Sequence, residues 1–177
     1  AKNMLSAALL GKAMLQRMIR REYLAVVCGT LTGSGTVHAP IARVKPGDVR
    51  RQVDFLCGDD AITHYKSLLC HAPYSLLSLH LETGRTHQIR VHMKYIGHTL
   101  FNDERYGGHD ILKGTTFTKY KQFVQNCFAI CPRQALHAKT LGFVHPTTGE
   151  EMFFDSEIPS DMQQLIDRWR VYANTKE

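Results

Sequence analysis

The segment 79–93, LHLETGRTHQIRVHM, constrains this chain more than any other part of its sequence. Its residues first alternate between apolar and polar, as in a strand, and then change at Thr83-Gly84 to the apolar spacing of a helix. The turn and the helix carry Arg85 and Arg90 together with several hydrogen-bonding side chains. Because backbone N–H groups at a helix start are unpaired, a junction of this kind is typical of anion recognition.

Strand patterns dominate the chain on both sides of this junction. Residues 23–28 form a near-continuous apolar run closed by Gly29, which predicts a buried strand. Residues 64–70 and 74–81 predict a hairpin around Ala72-Pro73, and residues 141–145 and 151–154 predict a second hairpin. Residues 36–44 predict an extended arm that is interrupted at Pro40.

Helical spacing occurs near both ends and directly after the junction. Residues 4–19 predict an amphipathic helix rather than a signal peptide or a membrane span, and residues 86–96 predict a helix stopped by Gly97. In the last helix, Ser160 is the expected N-cap and Gln163 completes a capping box, and one face carries the apolar residues Met162, Leu165, Ile166 and Trp169.

The region between Gly107-Gly108 and Pro132 is polar and predicts an excursion with one short helix; it includes Lys113, Gly114, Thr115 and Thr116. Strands outnumber helices in the chain as a whole. We therefore predict that residues 1–177 form one α+β domain on a mostly antiparallel sheet with flanking helices.

Charge and cysteine content narrow the class of protein further. The formal net charge is +6, which favours a polyanionic partner but also fits an ordinary solvated basic surface. The basic residues cluster at two places, Arg17, Arg20 and Arg21, and Arg43, Lys45, Arg50 and Arg51. Five irregularly spaced cysteines without a secretory signal predict reduced thiols, hence a cytoplasmic protein with no disulfide framework.

The segment 79–93 resembles the third signature of the RluA-type pseudouridine synthases, enzymes that isomerise uridine in ribosomal or transfer RNA. Residues 21–29, REYLAVVCG, look like the strand that carries the family's active-site tyrosine. Residues 136–138, LHA, and residues 142–149, GFVHPTTG, are similar to its C-terminal hairpin. The resemblance implies the pseudouridine synthase fold with a mixed central sheet, an RNA partner (ribosomal RNA or transfer RNA), and neither metal nor other cofactor.

Site residues follow from this resemblance position by position. Tyr23 matches the tyrosine that stacks on the flipped base and is placed for proton transfer, and Arg90 matches the basic residue that pairs with the catalytic aspartate. From charge and motif position we assign Arg85, Arg50 and Arg51 to RNA phosphates. We also assign the remaining residues of these motifs to the substrate pocket or to RNA contact: Thr86, His87, Gln88, Ile89 and Leu136.

The family's nucleophilic aspartate has no counterpart in the sequence. By the register of its motif, whose end resembles Ala1-Lys2-Asn3, the aspartate is expected roughly ten residues before Ala1, so we interpret the chain as N-terminally truncated. Two alternatives stay open at this point. One is a catalytically inactive RNA-binding or ribosome-assembly module on the same scaffold, and the other is a basic protein-interaction domain unrelated to RNA.

Overall fold

A computed structural model describes residues 1–111, 114 and 117–175. In chain order its elements are α1 (Met4–Leu15), β1 (Arg20–Cys28), β2 (Ser34–His38), β3 (Ile41–Arg43), β4 (Arg51–Val53), β5 (Ile62–His71), β6 (Tyr74–Leu81), α2 (Gln88–Tyr95), a 3₁₀ helix (Glu104–Tyr106), α3 (Thr118–Ile130), β7 (Leu136–Val144), β8 (Glu151–Asp155) and α4 (Ser160–Asn174). In the polar region, α3 is the predicted helix, whereas Lys113, Thr115 and Thr116 lie outside the described residues.

The main sheet has the strand order β2-β5-β6-β1-β7-β8, and each recorded pair of neighbours is antiparallel. Both predicted hairpins are confirmed, because β5 pairs with β6 and β7 pairs with β8. Strand β1 lies inside the sheet, where Tyr23 is opposite Leu79 of β6 and Ala138 of β7. The α+β class is confirmed, whereas the expected mixture of parallel and antiparallel strands is not found among the described strands.

Side chains of β1 alternate between two cores on opposite faces of the sheet. Leu24 and Val26 point to one face and pack with residues of α3 and α4, including Trp169. Ala25 and Val27 point to the other face and pack with residues of α2. Burial on both faces explains why this strand is an apolar run rather than an alternating one. The predicted apolar face of the last helix is confirmed, since Met162, Leu165, Ile166 and Trp169 are its buried residues.

The predicted arm at residues 36–44 is divided into β2 and β3 on either side of Pro40. Strand β3 leaves the main sheet and pairs with β4, so that Ile41 is opposite Val53 and Arg43 is opposite Arg51. This division has a simple cause, because proline has no N–H to donate to a strand ladder. The β3–β4 hairpin then packs against α2.

The first helix is shorter than predicted, and its apolar face is not buried among the described residues. It ends at Leu15 because Arg17 adopts a left-handed conformation with φ of 58°, while Met18 donates its N–H to the carbonyl of Ala13. No residue of the helix is buried. Ile19, predicted on its apolar face, is instead buried just before β1.

Two other helix boundaries also differ from the sequence predictions. Helix α2 begins at Gln88 rather than at Thr86, because His87 is left-handed with φ of 59°. Helix α4 has Pro159 as its N-cap and no side-chain capping bond, so the predicted capping box with Ser160 and Gln163 is wrong. No helix in the described part of the chain is both long enough and apolar enough to cross a membrane.

Candidate active site

Strands β1 and β7 and helix α2 bring three of the predicted site residues together. Tyr23, Ile89 and Leu136 belong to the same hydrophobic cluster on the α2 face of the sheet. Leu136 is opposite Ala25 on β1, two residues along the strand from Tyr23. Ile89 is buried, whereas Tyr23 and Leu136 are only half-buried. The tyrosine and the leucine therefore supply an accessible ring and an accessible apolar side chain beside each other, as a flipped base requires.

Gln88 fixes the turn that leads into α2. Its Nε2 donates to the carbonyl of Ile62 at 2.9 Å and to Oγ1 of Thr63 at 3.0 Å. Its Oε1 accepts from Oγ1 of Thr83 at 2.8 Å and from the N–H of Arg85 at 2.9 Å. The side chain thus makes all four hydrogen bonds that an amide can make, and the residue is only 2% exposed. The geometry gives Gln88 a role in positioning the turn, and its direct contact with RNA stays a prediction.

His92 extends this network into the core. Its Nε2 donates to the carbonyl of Ala39, and its Nδ1 accepts from Oγ1 of Thr63, both at 2.8 Å. Burial lowers the pKa of this histidine below its ordinary value, because a charged ring in the core would lose its hydration. The neutral ring therefore ties α2 to the strands that it covers.

His87, Thr86 and Arg85 occupy the exposed side of the same turn. Nδ1 of His87 is 2.8 Å from the hydroxyl oxygen of Tyr106. Burial first, and then the positive charges of Arg90 and Arg105, lower the pKa of His87. Arg85 donates from Nε to the carbonyl of Asp60, so it braces the start of β5 while its side chain stays accessible. Thr86 is exposed.

Arg90 has an anionic partner inside the chain. Its Nε donates to Oδ2 of Asp103 at 2.8 Å and its Nη2 donates to Oδ1 at 2.7 Å. The side chains of the arginine and the aspartate are only 11% and 1% exposed, respectively. The guanidinium also lies 4.7 Å from the ring centre of Tyr106, whose N–H is bound by the same carboxylate. Sequence reasoning missed this pair, although a carboxylate after the apolar residues Leu100 and Phe101 was a signal that could have revealed it.

Arg50 and Arg51 lie on the β3–β4 hairpin, apart from the main sheet. Arg50 forms a two-pronged ion pair with Asp48, and its hydrogen bonds lower the pKa of that carboxyl to about 2. Arg51 donates its Nη1 to neighbouring backbone carbonyls, and its own N–H binds the hydroxyl of Tyr106 at 3.0 Å. Tyr106 therefore connects this hairpin with His87 and Arg90.

An open cleft lies beside Arg90 and continues towards α3. Its lining includes Arg105, Gln125, Arg133 and Gln134. Arg133 is held by Asp161 through bonds of 2.8 and 2.9 Å. Among the basic residues before β1, Arg17 is paired with Glu82 at 2.6 Å. Cationic side chains therefore line the cleft beside Arg90, and one of them, Arg133, is already neutralised by a protein carboxylate.

Known proteins with similar sequences cover nearly the whole chain. Residues 1–95 match the family model described as RNA pseudouridylate synthase. The chain is 40% identical over 166 residues to a "Ribosomal large subunit pseudouridine synthase D" of Vibrio cholerae, with 93% of this chain and 49% of that protein covered. It is 40% identical over 172 residues to the protein of the same name in Salmonella typhimurium, and this alignment covers 97% of this chain and 51% of that protein. An "Uncharacterized RNA pseudouridine synthase" of Chlorobaculum parvum is 37% identical over 181 residues, covering 100% and 55%.

Solved structures support the fold independently. "Human RNA Pseudouridylate Synthase Domain Containing 4" superposes with a TM-score of 0.70 at 20% identity, covering 93% of this chain and 67% of that one. "Human RNA Pseudouridylate Synthase Domain Containing 1" superposes with a TM-score of 0.65 at 23% identity, covering 96% of this chain and 73% of that one. The chain spans about half the length of the curated relatives it matches. The family model covers more than half of the chain, and the sheet matches the fold, so this chain belongs to the RNA pseudouridylate synthase family.

Proposed function

We propose that this chain forms the larger part of the catalytic domain of a pseudouridine synthase that acts on large-subunit ribosomal RNA. The observation that carries the proposal is the meeting of Tyr23 and Leu136 on the sheet face covered by α2, the helix that also carries Arg90. The names of the bacterial relatives support the choice of substrate. Transfer RNA is the second substrate to be tested, because RluA-type enzymes act on either kind of RNA.

The reaction breaks the bond between ribose C1′ and uracil N1, rotates the base and joins it again through C5. All atoms of the nucleotide are retained apart from the exchanged C5 proton. Tyr23 holds the detached base against its ring, beside Leu136, and places its hydroxyl for proton transfer at C5. The base must first leave the stack, which an accessible apolar wall favours.

A carboxylate at the sugar is the remaining requirement, and we assign it to an aspartate upstream of Ala1. Asp103 accepts from Nε and Nη2 of Arg90, and no residue that the structure describes accepts from the guanidinium nitrogen Nη1, so we assign Nη1 as the donor to this upstream carboxylate. A cation within about 4 to 6 Å of a carboxyl lowers its pKa and so keeps it ionised. In this arrangement, Asp103 orients Arg90 and Arg90 orients the nucleophile.

The first test is to read the gene upstream of Ala1 and to assay the protein that it encodes. An aspartate in a His-Arg-Leu-Asp context, with tritium released from ribosomal RNA labelled at uracil C5, would support the enzyme. A different residue at that position, with RNA bound but no tritium released, would favour the inactive RNA-binding module. Unmodified ribosomal and transfer RNA assayed in parallel would distinguish the two substrates. We further propose a cytoplasmic location, which cell fractionation would test.

A further inference from the structure

We propose that the groove between the β3–β4 hairpin and α2 binds a single-stranded stretch of RNA that flanks the target uridine. The proposal rests on the proposed function. We call this surface the Tyr95 groove, and its lining includes Arg50, Arg51, Lys94, Tyr95, Arg105 and Tyr106. Val53 belongs both to the groove lining and to the cluster that holds Tyr23, but Tyr23 itself does not line the groove, so the groove offers the RNA a second contact beside the base pocket.

The charge of the groove fits a chain of phosphates. Its described lining contains no acidic side chain. Asp48 neutralises Arg50, but Lys94 and Arg105 are exposed and make no ion pair with any residue that the structure describes. Arg51 likewise has no carboxylate partner in the described part of the chain, so three such cations border the groove. Phosphates that bind there would release condensed counterions, which gives a salt-dependent affinity.

Aromatic rings at the edge of the groove fit unstacked bases. Tyr95 is 53% exposed and Phe55 is 66% exposed, although large apolar side chains of this kind are usually covered. The ring centres are 6.4 Å apart and the ring planes are inclined at 58°, so the two rings do not stack on each other. Sequence-tolerant recognition of single strands commonly combines such rings with a cationic groove.

The turn that presents Phe55 is held by local hydrogen bonds. Oδ1 of Asp54 accepts from the N–H groups of Leu56 and Cys57 at 2.9 and 3.0 Å, and the carbonyl of Asp54 accepts from Gly58. A side chain at Gly58 would bring its Cβ within 2.3 Å of that carbonyl oxygen, which makes glycine necessary here. A turn fixed in this way loses little conformational entropy when a base stacks on its ring.

The groove is continuous with the candidate active site. Arg105 lines both the groove and the cleft beside Arg90. Tyr106 forms the wall between them, with Arg90 4.7 Å and Lys94 6.0 Å from its ring centre. An RNA strand that places its uridine near Arg90 can therefore continue past Arg105 to the exposed ring of Tyr95. This continuity favours RNA over a protein ligand as the occupant.

The test measures RNA binding by the protein as its gene encodes it, separately from turnover. The probe is a fluorescein-labelled single-stranded oligoribonucleotide of about twelve nucleotides, which is long enough to fill one groove. Its binding is measured by fluorescence anisotropy over a range of KCl concentrations. Tyr95→Ala should weaken binding about 5- to 150-fold, because stacking of one base is lost, whereas Tyr95→Phe should bind like the wild type. Lys94→Gln and Arg105→Gln should each reduce the slope of log K against log salt by about 0.7.

Arg170→Gln on α4 is the matched control, because α4 covers the opposite face of the sheet from α2; its slope should equal that of the wild type. Thermal unfolding of each variant verifies that the fold is intact. If the wild type binds RNA and the groove variants bind it equally well with unchanged slopes, the groove proposal is overturned while the proposed function stands. Competition by polyglutamate as strong as that by RNA would also overturn it, in favour of an acidic protein ligand. Failure of the wild type to bind any RNA would overturn both proposals.

Discussion

Replacement of Asp103 by asparagine should strongly destabilise the protein, although the two side chains have nearly the same shape. The asparagine still has an oxygen to accept the N–H of Tyr106, but it removes the charge that faces Arg90. The guanidinium is only 11% exposed, so water can replace the carboxylate only in part. Removing one partner of a buried ion pair typically costs 3 to 5 kcal/mol. For a chain of this size, about 3 to 5 kcal/mol corresponds to a decrease in Tm of roughly 6 to 20 °C.

The assay is urea unfolding followed by circular dichroism, with a double-mutant cycle of Asp103→Asn and Arg90→Met. The double variant should be more stable than the sum of the single losses predicts, by about 0.5 to 3 kcal/mol, because it contains no unpaired charge. Asp167→Asn is the control, since its ion pair with Arg170 is exposed and should contribute less than about 1 kcal/mol. A loss below 1 kcal/mol for Asp103→Asn, or additive single losses, would refute the structural role of the pair.

Three further predictions concern the same site. Gln88→Ala should lower the free energy of unfolding by at least about 2 kcal/mol in urea titrations, because buried donors and acceptors lose their partners; a smaller loss would contradict the network. The pKa of His92 is lower in the folded state than in the unfolded state, so the contribution of His92 to stability is complete above pH 6.5 and decreases as the pH falls from there towards the folded pKa. The free energy of unfolding, measured from pH 8 to pH 5, should show this decrease, and the decrease should be smaller in His92→Gln. In the protein as encoded, Tyr23→Phe should keep RNA affinity but slow pseudouridine formation about 10²- to 10⁴-fold, and unchanged turnover would limit this residue to stacking.

Local patterns were sufficient for the elements whose side chains follow a simple period. The β5–β6 hairpin was predictable from two strand-like segments around a turn, the buried strand β1 from its continuous apolar run, and the apolar face of α4 from its helical spacing. Helix ends were less predictable. The left-handed conformations of Arg17 and His87 end α1 and delay the start of α2, although neither residue is a glycine. In these cases, contacts outside the helix outweigh local preference.

The sequence alone determined the family motifs, the α+β class and the proximity of Arg85 and Arg90 within one turn and helix, because each depends on residues that are neighbours in the chain. Only the tertiary structure decided which partners these residues have. Asp103 reaches Arg90 across a loop, Gln88 is satisfied by β5, and Tyr106 joins the β3–β4 hairpin to α2. Such pairings depend on how strands and helices pack in three dimensions, and the free energy of a buried charge or amide depends on the burial that only this packing creates.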